Sequence, residues 1–258
     1  MGAPNLKANP ALPIVSLRLP LPAAAALATL VMATPLRAAP TLEALQAALN
    51  NPGPSALAGL VEAGPGLDPT RLEQRRAALR ERFPDARWSV SAGAPLRDGR
   101  PTAEVLVTGS RQDGPHRFRF EARQLLVLGS SGNRFNSQDV IRESSLLRSG
   151  ETDLAVSWLV PDAVLTGQRY DLDVVLDDPL DGALAAGAIK PVSPEEQQRF
   201  QSPNLSLEAL SGGGLFKTVQ APYQPGVQTW GVLLVHPKGI VSATKQVRVV
   251  ADKANLSL

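Results

Sequence analysis

The chain has 258 residues, with 26 Lys and Arg against 24 Asp and Glu (net charge +2), two His and no Cys. The missing cysteine excludes disulfides, thiolate metal sites and thiol nucleophiles, and with two histidines the chain can scarcely supply three or four N/S ligands for zinc. So balanced a charge lacks the concentrated basic surface on which nucleic-acid binding depends.

Residues 1–39 contain Lys7, Arg18 and Arg37 and no acid. Their apolar run, Ala23 to Ala33, is flanked by Pro20, Pro22 and Pro35 and falls short of the about 20 residues of a membrane span. A charged start, a short apolar middle and small residues at the end predict a secretory signal cleaved after Ala38 or Ala39. An uncleaved amphipathic anchor is the alternative. Without the signal the chain has 23 basic and 24 acidic residues and carries no transmembrane anchor. The expected location is outside the cytoplasm, in a periplasm or thylakoid lumen if the source is bacterial.

TLEALQAALN predicts a helix with Leu42, Leu45 and Leu49 on one face and Thr41 as its N-cap, stopped by Asn51-Pro52-Gly53-Pro54. SALAGLVEAG predicts a second, carrying Leu57, Leu60 and Val61 and ended by Gly64. Asp68-Pro69 predicts the start of a third, running to Phe83-Pro84.

From Trp88 the period becomes two. RWSVSA, TAEVLVTG, HRFRFEARQLLVL and RFNSQDVIRESSLLRSG predict antiparallel strands, turning at Asp98-Gly99, at Asp113-Gly114-Pro115 and at GSSGN. Helices followed by a meander predict an α+β domain over residues 40–149, a curved antiparallel sheet wrapped on helices. Residues 150–258 predict short strands near 153–160, 169–176, 183–189, 204–210, 214–219, 228–236 and 240–250, the spacing of an all-β sandwich. SPEEQQRF interrupts them as a helical turn capped by Ser193. The halves carry opposite charge, 15 basic and 12 acidic residues in the first and 8 and 12 in the second, which favours docking.

The helix-then-meander order of residues 41–148 resembles the cystatin-like and nuclear transport factor 2-like folds. YQPGVQTWGVLLVHPKGIVSATKQVRVV, with Pro225-Gly226 before Trp230, is similar to the last strands of fibronectin III and other immunoglobulin-like modules. RFPDARW, VLTGQRYDLDVVLDDPL and GGGLFKTVQAPYQPG look like a family of uncharacterised exported proteins of photosynthetic bacteria. These resemblances imply folds and an address, and no activity.

Candidate chemistry is sparse. No G-x-S-x-G elbow accompanies His116 or His236. GGGLFKT at 212–218 departs from the phosphate loop because Phe216 stands where glycine must precede Lys217; it reads as a glycine turn presenting Leu215 and Phe216, either as core residues of the next strand or as an exposed hydrophobic anchor. Those two, with Tyr223 and Trp230, form the candidate binding surface, because they concentrate aromatics beside Gly/Pro turns. Arg117, Arg119 and Arg123 share a strand face and are candidate anion ligands, with pairing to Glu121 as the plainer reading. Asp177, Asp178 and Asp181 crowd one turn and are candidate Ca²⁺ ligands, with solvated turn residues as the alternative. No other cofactor is expected. The function expected is non-catalytic binding or assembly in the cell envelope, with a protein or small ligand as partner. The alternatives are an enzyme using the concave face of the N-terminal sheet, which needs Asp98, Glu104 or Glu121 as a buried base, and an envelope protein whose C-terminal half is stabilised by Ca²⁺.

Overall fold

The computed structural model describes residues 38–53, 55–150, 154–177, 183–199, 204–210 and 213–256. The signal reading, save for Ala38 and Ala39, lies outside them, as do Asp178 and Asp181. The described residues form one compact unit. It is mostly β, with few helices and large antiparallel sheets.

Helix α1 (Leu42–Asn50) starts where Thr41 accepts the Ala44 N–H at 3.2 Å, and α2 (Pro69–Arg82) where Asp68 accepts the N–H groups of Thr70 and Arg71. The middle helix expected from SALAGLVEAG is absent: residues 55–60 form turns that end in a bridge from Val61 to Phe135. The sheet takes the backbone groups a helix would use internally. Glu62 N–H donates to the Phe135 carbonyl and Phe135 N–H to the Leu60 carbonyl, both at 2.9 Å. Gly64 permits this approach, since a Cβ there would collide with the Asn136 carbonyl oxygen.

Twelve strands follow among the described residues. They are β1 (Arg87–Gly93), β2 (Thr102–Asp113), β3 (His116–Ser131), β4 (Arg134–Ser149), β5 (Val156–Leu159), β6 (Ala163–Leu165), β7 (Arg169–Leu176), β8 (Ala186–Val192), β9 (Glu208–Ala209), β10 (Gly214–Gln220), β11 (Gly226–His236) and β12 (Gly239–Val250). The short helix α3 (Pro194–Gln198) sits between β8 and β9, closed by a capping box between Ser193 and Glu196.

One long sheet has the order β1-β2-β3-β4-β12-β11-β8-β9, and a smaller one the order β10-β7-β5. The long sheet is continuous across residues 149 and 150, where the sequence pattern predicts a domain boundary. Ser144–Ser149 of β4 pair with Ile240–Lys245 of β12, and the rest of that β12 edge takes β6 in parallel.

The long sheet builds its cores on opposite faces. Towards β1–β4 the helices cover one face, and Leu45, Leu49 and Leu57 pack on Trp88, Val105 and Val107. Towards β12–β11–β8 the small sheet covers the other, and Val174 and Leu176 of β7 pack on Val232, Leu234 and Val241. Strand alternation allows both on one ribbon: Leu147 of β4 belongs to the first core and its neighbour Leu146 to the second.

Polar contacts fasten the edges and the junction. The N–H groups of Trp88 and Val90 on edge strand β1 donate to the side-chain carbonyls of Asn50 and Gln46, at 3.0 and 2.8 Å. Helix α1 thereby occupies an edge that would otherwise template pairing with another chain. At the junction, burial opposes ionisation of Asp162, yet Lys245 at 2.9 Å and Arg142 at 2.8 Å hold its carboxyl below the usual range.

Candidate functional site

Register places one row of side chains across the helix-covered face: Trp88 opposite Val107, Val107 opposite Ala122, Ala122 opposite Ser145, and Ser145 opposite Thr244. The row falls from bulky and apolar on β1 to small and hydroxylated on β4 and β12. Ala122 and Ser145 are too small to reach the helices above them. The result is a cavity of about 240 Å³ bounded by the sheet and by α1 and α2. The space is partly open to solvent, a pocket and not a sealed core void.

Its two ends differ. Under α1 the walls are Leu45, Leu49, Trp88, Val107, Leu126 and Phe135, all buried. Towards β4 and β12 the lining turns polar with Gln124, Glu143, Ser145 and Thr244. The Ser145 and Thr244 hydroxyls are hydrogen-bonded to each other at 2.6 Å. Glu143 meets Arg75 of α2 at 3.5 Å, both side chains partly exposed. An apolar pocket with a few convergent polar groups is the ordinary form of a small-molecule site.

Two arginines of α2 hold the roof. Arg76, 5% exposed, pairs with Glu73 at 2.8 Å and donates to the carbonyls of Asn51 and Gly53. Arg80 donates to the carbonyls of Leu49 and Asn50, and its guanidinium lies 5.0 Å over the Trp88 ring. The last carbonyls of a helix have no partners within it and carry negative partial charge. Here α2 supplies the cations that α1 lacks in its own last turn.

The sequence candidates fall elsewhere. Trp230 is 4% exposed and belongs to the core between the sheets, its Nε1 donating to the Tyr170 hydroxyl at 3.0 Å. Leu215 packs against the neighbouring core. Phe216, next on β10, is 64% exposed, and Tyr223 is 81% exposed beside Gly167. The four are divided between core and surface because β10 alternates and β11 is a central strand. Arg117, Arg119 and Arg123 stand on β3 positions facing away from the large cavity. Arg123 bonds Glu121 at 2.8 Å, and both line a second cavity of about 190 Å³ with Trp158 and Lys245; Ser145 and Thr244 border this cavity as well as the large one. Asp177 follows β7, its N–H donating to the Ala155 carbonyl. Among the described residues no three or more metal-capable side chains cluster.

The concave-face enzyme reading asked for Asp98, Glu104 or Glu121. None of them lines the large cavity; the carboxylate that reaches it is Glu143. Asp98 is in the β1–β2 connection, bonded to Arg100 at 2.7 Å. Glu104 and Glu121 alternate onto the opposite face from Val105 and Ala122. Sequence reasoning missed the cavity residues, though a signal existed. Among the inward positions of β3, Ala122 and Gln124 interrupt a series otherwise made of Phe118, Phe120, Leu126 and Leu128.

No curated protein matches the chain. Residues 151–250 match a family model described as "Domain of unknown function (DUF8623)". That span is similar to this family; it takes in the small sheet, β11 and all of β12, and of the large cavity's lining it contributes Thr244 alone.

Proposed function

We propose that this is an exported, non-catalytic binding protein of the cell envelope, holding a small apolar molecule between α1, α2 and the long sheet. The observation that carries the reading is the graded row from Trp88 to Thr244 under a roof fixed by Arg76 and Arg80. Export rests on the composition of residues 1–39. The helices laid on β1–β4 support the likeness to cystatin-like and nuclear transport factor 2-like folds. The core shared by two sheets supports an immunoglobulin-like second half, and the matched span 151–250 begins where that half was expected.

Capacity follows from volume. A cavity of about 150 Å³ holds benzene, so about 240 Å³ accommodates about ten non-hydrogen atoms. Decan-1-ol is a suitable probe. Ala122→Leu would put three more carbons into the cavity floor, raising stability by about 1–2 kcal/mol through added burial. It is expected to weaken decan-1-ol binding at least tenfold in isothermal titration while the melting temperature rises. Equal affinity of the two proteins for decan-1-ol would remove the cavity from consideration.

A further inference from the structure

The polar end of the cavity narrows the class of ligand, a step that rests on the cavity being the binding site. Its charges already have partners. Arg75 meets Glu143, Arg76 meets Glu73 and two carbonyls, and Arg82 is likewise engaged. A ligand carboxylate or ammonium drawn in here would have to share a counter-charge that is already paired, and whatever part of it is buried without a partner is costly. An uncharged oxygen faces no such penalty. In the Ser145–Thr244 bond one hydroxyl donates to the other, which leaves the second hydrogen and the remaining lone pairs for a third group. The Gln124 amide, one strand over in the same lining, offers a further donor and acceptor.

We infer that the ligand is a neutral, single-chain molecule of about ten non-hydrogen atoms with a terminal hydroxyl or carbonyl oxygen held at the Ser145–Thr244 pair. Its apolar end lies under α1 against Trp88. Three inter-strand steps separate Val107 from Thr244, about 14 Å, so the row sets the ligand's length as the volume sets its size. Ser145 and Thr244 are 99 residues apart in sequence, one on β4 and one on β12. The head-binding group therefore exists only where the two halves of the chain join in one sheet.

Titration calorimetry of the full chain with decan-1-ol, decanoate and decylammonium, each below its aggregation concentration, tests this. Decan-1-ol is expected to bind at least tenfold more tightly than either ion. Ser145→Ala/Thr244→Val is expected to lower its affinity about fivefold or more with the melting temperature little changed; Ser145→Ala alone serves if the double variant melts early. An ion that binds as tightly as the alcohol overturns the neutral-head assignment and leaves the cavity reading standing. Unchanged alcohol affinity in the hydroxyl variants removes the Ser145–Thr244 pair as the head site. Failure of all three probes to bind defeats the cavity reading itself.

Discussion

Arg76→Met is expected to destabilise the protein by about 3 kcal/mol, the range observed when one member of a buried ion pair is removed. The side chain is 5% exposed. Its loss leaves the half-buried Glu73 carboxylate with the Leu57 N–H at 3.3 Å in place of a cation and deprives the Asn51 and Gly53 carbonyls of their donor. Methionine keeps much of the volume, so the effect is polar and does not come from a cavity. Urea denaturation checks it: the midpoint should fall with the slope unchanged. Adding Glu73→Gln should recover part of the loss, because the stranded charge goes with it. A loss below about 1 kcal/mol would mean that the arginine behaves as a surface residue and that the roof is held by apolar packing alone.

Leu234→Ala is expected to cost about 3 kcal/mol, within the range for deleting a buried leucine. Leu234 is 1% exposed on β11, in the core under the small sheet. The more informative outcome is where the loss is felt. Because β4 and β12 pair through six positions in the middle of one sheet, the slowest-exchanging amides of β2 and β3 should accelerate together with those of β11 and β12. Amide hydrogen exchange reads this directly. Acceleration confined to β7, β11 and β12 would mean that the halves unfold independently despite the shared sheet.

Local features were legible in the sequence. Thr41, Asp68 and Ser193 cap the helices they were expected to cap, because capping is decided within four residues. The four strands after Trp88 lie where alternation put them, and their turns use Gly99, Gly114 and Gly132 at positive φ. The failures are all long-range. SALAGLVEAG has a helical period, but the Phe135 backbone captures Leu60 and Glu62. The pairing of β4 with β12 leaves no local trace, since nothing in either strand's period names its neighbour. Trp230 beside a Pro/Gly turn resembles an exposed anchor until β8 and β12 flank its strand. The cavity needed both pieces of knowledge: inward alternation on β3, which the sequence shows, and the cross-strand register that aligns Ala122 with Ser145 and Thr244, which it does not.

Nuclear Overhauser contacts from bound decan-1-ol to the protein's methyl and aromatic protons locate the ligand most directly. A ligand lying in the large cavity, apolar end first, must give contacts from its terminal methyl to the Trp88 ring and the methyls of Leu45, Leu49 and Leu126, and from its hydroxyl-bearing carbon to Thr244. Contacts to Trp158, Phe216 or Tyr223 in their place would contradict the account, since those residues lie off the large cavity.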